Sequence, residues 1–110
     1  MTSKKEFVKY IVAQMGESDE IIFKSMFGEY GLYCDQKMFA LVSDDRLFFK
    51  PTEGGRIYMK DVKEASPYPG AKPWLLIEDQ VEDSDWLSEL VRITVAELPE
   101  PKPKKRKNNS

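Results

Sequence analysis

The chain has 110 residues, of which 41% are hydrophobic and 33% charged, proportions that belong to one globular domain and leave little room for two cores. A lone cysteine, Cys34, rules out an intrachain disulfide, and the absence of histidine removes His-containing zinc sites, Ser-His-Asp and Cys-His nucleophile systems, and the commonest general base. The net charge of −2 is uneven: Lys102, Lys104, Lys105, Arg106 and Lys107 are five of the 17 basic residues, leaving 12 against 19 acids, or −7, over residues 1–101.

The first periodic segment runs from about Lys4 to Met15, where Phe7, Val8, Ile11, Val12 and Met15 recur at helical spacing. Ser3 and Glu6 form a capping-box pattern and Gly16 supplies the stop, so an amphipathic helix is expected. From Ile21 the pattern changes to short β-branched and aromatic runs. Ile21–Phe27, Tyr30–Cys34, Lys37–Ser43 and Arg46–Lys50 read as four strands of an antiparallel meander, with Asp35-Gln36 and Asp44-Asp45 at tight turns. In the third run Met38, Ala40 and Val42 alternate with Phe39 and Leu41, so both faces are apolar and the strand is expected to be central.

Gly54-Gly55 reads as a loop hinge before a second helix over Arg56–Lys63, with Ile57, Tyr58, Val62 and Ala65 as its apolar pattern. Pro67, Pro69, Gly70 and Pro73 make an irregular loop, after which Trp74–Glu78 has the length of a fifth strand, able to join either edge. Asp83, Ser84 and Asp85 are cap candidates for a last helix lined by Leu87, Leu90, Val91, Val95 and Leu98, which Pro99 ends. The fold class is therefore α+β: two layers, with an antiparallel meander of about five strands flanked by about three helices. Residues 1–99 form the domain, and residues 100–110 are expected to be a disordered basic tail, since no apolar residue follows Leu98.

Motifs for chemistry are few. The carboxylate pairs Asp44-Asp45 and Glu82-Asp83 are adjacent in sequence and read as solvated turns. No catalytic residue, metal ligand or cofactor-binding residue is assigned, and the expectation is a chain without enzyme activity. Gly28-Glu29-Tyr30-Gly31 has the spacing of an RNA-clamping GxxG element, but it joins strands and holds an acid, so close packing is the preferred reading. Phe27, Tyr30, Tyr33, Phe39, Phe48 and Phe49 could stack on bases; an acidic body lacks the positive groove that such platforms use, and core packing is preferred. The basic tail is the candidate for weak, non-specific DNA or RNA contact, with a salt slope no steeper than about −4.5 if all five charges met phosphates. No apolar run approaches the ~18 residues of a membrane span, so no membrane contact and a cytoplasmic location are expected.

Several short blocks carry a resemblance. Lys24-Ser25-Met26-Phe27-Gly28, Tyr30-Gly31-Leu32-Tyr33, Met38-Phe39-Ala40-Leu41-Val42 and Leu47-Phe48-Phe49-Lys50 closely resemble the N-terminal domain of the TfoX/Sxy family, a likeness spanning roughly residues 5–98. Glu29 stands where that family commonly has a second glycine, and Phe48-Phe49 replaces a more usual Tyr-Leu. Members include regulators of DNA-uptake competence that act at promoters with a cyclic-AMP-responsive activator. The resemblance implies a bacterial, non-enzymatic regulatory domain that meets a protein partner in transcription regulation, with Phe27, Gly28, Glu29, Tyr30, Gly31 and Tyr33 as the candidate contact patch. The longer regulators carry a second, C-terminal domain, where this sequence has only its basic tail. A small-molecule-binding domain is the remaining alternative.

Overall fold

A computed structural model describes residues 5–16, 21–26 and 29–99. Helix α1 (Lys5–Gln14) buries Val8, Ile11 and Val12 and ends at Gly16, whose φ of +76° needs no side chain to be accommodated. Four antiparallel strands follow: β1 (Ile21–Met26), β2 (Glu29–Cys34), β3 (Lys37–Ser43) and β4 (Arg46–Phe49). Helix α2 (Glu53–Met59), the two-residue β5 (Glu64–Ala65), β6 (Trp74–Ile77), a 3-10 turn (Asp79–Glu82) and α3 (Ser84–Glu97) complete the domain. The sheet order is β1-β2-β3-β4-β6-β5, so β6 joins the β4 edge.

The α+β class expected from the sequence is correct, with one strand more than the five foreseen. Strand β5 is that addition: two residues carry too little pattern to be read, and pairing with β6 defines them. The expected second helix is displaced. It begins at Glu53 instead of Arg56 because Thr52 Oγ1 accepts from the Gly55 N–H at 2.9 Å and the Glu97 carboxylate accepts from the Gly54 N–H. Gly54 is thus helical, and a Cβ there would lie 2.6 Å from Glu97 Oε2. The helix stops at Lys60, which holds φ of 66° while the Asp61 N–H donates to Met59 O in a γ-turn. Ile57, expected to face inward, is 69% exposed.

Alternation decides which face each strand side chain takes. Ile21, Leu32, Cys34, Ala40, Val42, Leu47, Phe49, Leu75 and Ile77 meet Val8, Ile11, Met15, Leu87, Leu90 and Val91 in one core. The pairing skips a residue between Leu32↔Ala40 and Tyr33↔Met38, which makes Phe39 a bulge residue and puts it in the core beside Ala40. Phe39 and Phe49 pack there with ring centroids 5.5 Å apart. Ser84 Oγ donates to Gln14 O and Gln14 Nε2 to Val81 O, tying the end of α1 to the start of α3. Between α2 and α3 the Tyr58 hydroxyl donates to Trp86 O, and burial, helped by Glu89 and Asp83, raises its pKa and keeps that donor protonated.

Both expected tight turns are two-residue hairpin connections, with φ of 55° and 67° at Asp35 and Gln36 and 55° and 57° at Asp44 and Asp45. Positive φ at both positions is the I′ geometry that matches strand twist and favours glycine second. Gln36→Gly should therefore raise stability by about 0.5–1 kcal/mol in denaturant unfolding. Thr94 Oγ1 is buried with no hydrogen-bond partner among the described residues. Thr94→Val keeps the shape and removes the unsatisfied hydroxyl, so it should stabilise by about 1 kcal/mol, read as a rise of a few degrees in Tm.

Candidate functional site

The helices occupy one face of the sheet. The opposite face carries Ile22, Lys24 and Met26 from β1; Glu29, Gly31 and Tyr33 from β2; Met38, Leu41 and Ser43 from β3; and Phe48, Leu76 and Trp74 beyond them. The loop 66–73 lies against part of this face, where Ser43 anchors it by donating to Pro67 O at 2.7 Å, with Pro67 itself buried. Leu41 and Phe48 are buried there at 6% and 0% exposure, outside the helix-side core. Toward the β1 edge the face is more open: Ile22 is 53% exposed and Lys24 is exposed, while Met26, Glu29 and Tyr33 are half-buried.

Between this open part and the loop lies a groove of about 340 Å³ lined by Met26, Glu29, Met38, Leu41, Ser43, Tyr68 and Trp74. Gly31 explains its floor. A Cβ at this position would lie 2.9 Å from Met26 Sδ and 3.0 Å from Met38 Sδ, so the missing side chain makes room for two thioethers. Both are flexible and polarizable, which lets such a surface reshape around what it meets. Along the strand direction Met26, Glu29 and Ser43 lie beyond the Tyr30↔Val42 pair, with the Ser43 hydroxyl donated to Pro67 O, and Met38 and Trp74 lie toward the other end.

The structure separates the residues of the expected patch. Glu29 through Tyr33 belong to a strand and not to a turn. Glu29, Gly31 and Tyr33 share the helix-free face, while Tyr30 points to the helix side and packs edge-on against Phe23 at 5.8 Å. Phe27 and Gly28 lie outside the described residues, as do Ser3 of the expected capping box and Lys102, Lys104, Lys105, Arg106 and Lys107. Phe39, Phe48 and Phe49 are fully buried and offer no face for stacking on bases. Tyr33 is covered by Lys24, whose Nζ lies 5.2 Å from the ring centre, and Arg46 lies similarly 5.4 Å from Phe48. Of the groove residues only Glu29 belongs to the patch expected from the sequence; Met26, Met38, Leu41, Ser43, Tyr68 and Trp74 were missed. Alternation groups Met38 with Ala40 and Val42 and opposite Leu41; the bulge at Phe39 instead puts Met38 on the face of Leu41, and the return of the loop carrying Tyr68 leaves no local signal.

Among the described residues no group of three or more Cys, Asp or Glu side chains is placed to hold a metal ion, and no helix is long and apolar enough to cross a membrane. Cys34 is buried, and as the single cysteine of the chain it has no intrachain disulfide partner. A second hollow of about 290 Å³ between the β2–β3 turn and α3 is lined by Cys34, Lys37, Arg92 and neighbours, with Lys37 Nζ donating to Val95 O at 3.1 Å.

Fold and groove together define a small α+β domain with a six-stranded sheet, helices on one face and an apolar groove on the other. The chain belongs to the TfoX N-terminal domain family, whose model it matches over residues 13–98. It is also 36% identical over 110 residues to an uncharacterized 12.7 kDa protein encoded in the trpE 5′ region of Spirochaeta aurantia, a match covering all of this chain and 96% of that protein.

The groove floor yields a prediction. Gly31 has ordinary strand pairing, and the two nearest atoms its Cβ would meet are sulfurs of long, unbranched side chains, with Tyr33 Cε1 next at 3.3 Å. Gly31→Ala should leave stability within about 1 kcal/mol of the parent while displacing both thioethers, seen as NMR shifts of the Met26 and Met38 methyl groups above those of other methionines.

Proposed function

We propose that this domain is a non-enzymatic interaction module that acts in bacterial transcription regulation by docking a protein partner in the groove on its helix-free sheet face. The observation that carries the reading is that groove: an adaptable, methionine-lined apolar surface on a face where no helix packs. Membership of the TfoX N-terminal domain family supports the regulatory assignment, since the family includes competence regulators. A single cysteine that is buried and unbridged fits the reducing cytoplasm. The basic residues Lys102, Lys104, Lys105, Arg106 and Lys107 have an accessory role in this reading, a weak and salt-sensitive contact with DNA or RNA.

Photo-crosslinking in cells tests the reading. With benzoylphenylalanine in place of Tyr68, irradiation should trap a protein of transcription or nucleic-acid handling. Adding Met38→Lys should cut that yield at least tenfold while Tm moves by less than about 3 °C. The absence of any trapped protein, or a yield indifferent to Met38→Lys, would reject it.

A further inference from the structure

The two edges of the sheet are finished differently. At one edge β5 is two residues long, too short to offer a ladder to another strand. At the other, β1 pairs with β2 over all six of its residues without a register shift, and beyond that ladder none of its backbone groups is hydrogen-bonded to another described residue. β1 has no proline and a single charge, Lys24, whose Nζ is drawn back over the Tyr33 ring of β2. Ile22 is 53% exposed, Lys24 and Ser25 are exposed, and Phe23 is half-buried. A long, regular edge with unpaired N–H and C=O groups and apolar side chains is a template for a further strand; short strands, prolines, bulges and outstanding lysines are the usual guards against it.

Which groups are unpaired follows from the register. Cys34 and Lys37 close the two-residue I′ turn at Asp35-Gln36, so their backbone groups face each other. Orientation alternates along an antiparallel strand, so the backbone of Tyr33 turns toward β1 and bonds with Ile22 opposite it. Ile22, Lys24 and Met26 therefore bond to β2, and Ile21, Phe23 and Ser25 present their N–H and C=O outward. From this geometry we infer that β1 pairs with β1 of a second copy of the chain, antiparallel about a two-fold axis, and joins the two six-stranded sheets into one. A second copy brings the same three outward groups at the same spacing, so the needs of the two strands are met reciprocally.

The register of that pairing is set by the same residues. Outward groups must meet outward groups, which leaves axes at Ile22, Phe23 or Lys24. An axis at Lys24 opposes two ammonium groups, and one at Ile22 joins only Ile21 with Phe23 among the described residues. The axis at Phe23 joins all three, Ile21 with Ser25 and Phe23 with Phe23 of the other copy. It also lays the stem of Lys24 against Ile22 of the other copy, which covers the exposed isoleucine with no like charges directly opposed. This pairing uses the strand edge and is independent of what the groove holds.

The test uses the full chain. Sedimentation velocity over about 5–500 μM should show reversible conversion of monomer to dimer, a range chosen for the modest affinity of an interface about one strand wide. Amide exchange followed by NMR should slow for Ile21, Phe23 and Ser25 at the upper concentration and stay unchanged for Ile22 and Lys24, which are already bonded to β2. Ser25→Pro removes one outward donor and should raise the dimer Kd at least tenfold. Ile22→Lys sets a lysine opposite Lys24 of the other copy and Ile22→Asp sets a carboxylate there, so the aspartate variant should dimerise at least fivefold more tightly than the lysine variant. A monomer at every concentration, a dimer indifferent to Ser25→Pro, slowing confined to other amides, or equal affinities for the two Ile22 variants would each overturn the inference. Should Ser25→Pro fail to fold, the exchange pattern and the two substitutions at the exposed Ile22 decide.

Discussion

Strand β3 must be buried on both of its faces, and the chain has helices for only one of them. Phe39, Ala40 and Val42 are shut off from water by α1 and α3, as any sheet residue beneath a helical layer would be. Leu41 faces the other way and is nearly as deeply buried. Burying apolar side chains is the main favourable term in folding, on the order of 1.5–3 kcal/mol for a large one, so this second face needs a cover. The loop 66–73 provides it in part, held by the hydrogen bond from Ser43 to Pro67. A proline-rich loop is narrower than a helix and cannot close over six strands. The groove is what remains where its cover ends.

That origin accounts for the character of the groove. Its lining comes from sheet positions that no helix covers together with Tyr68 of the loop, and flexible thioethers suit a surface that must be tolerably packed whether or not something lies on it. Gly31 contributes by absence, since its missing Cβ is where the sulfurs of Met26 and Met38 settle. The cations of this face are laid over rings, Lys24 over Tyr33 and Arg46 over Phe48.

Much of the architecture was legible in the sequence because it is written in neighbours. The period-two runs and the Asp-Gln and Asp-Asp turns place β1 to β4, and Asp83, whose side chain accepts from the Trp86 N–H, caps α3 where its position suggested. The errors fall where a distant residue overrides a local pattern. Gly54-Gly55 reads as a hinge by itself and becomes a helical turn because Glu97 accepts its N–H from 43 residues away. Ala65 reads as the last member of a helical apolar pattern and instead joins Glu64 in a strand because β6 lies alongside. The expected patch around Tyr30 is divided in the same sense. Tyr30 and its neighbours Glu29 and Gly31 adjoin in sequence, but alternation sends them to opposite faces, one to the core and two to the groove.

What the amino-acid sequence determined by itself was the identity and order of the main elements, the centrality of β3, the acidic body and the family likeness. These depend on side-chain period, turn chemistry and composition, all of which act over a few residues. What only the tertiary structure decided was the site. Met26, Met38, Tyr68 and Trp74 are brought together by sheet pairing and by a loop that folds back across it. No periodicity records such a meeting, because the free energy that creates it belongs to the buried face as a whole and to no single segment of the chain.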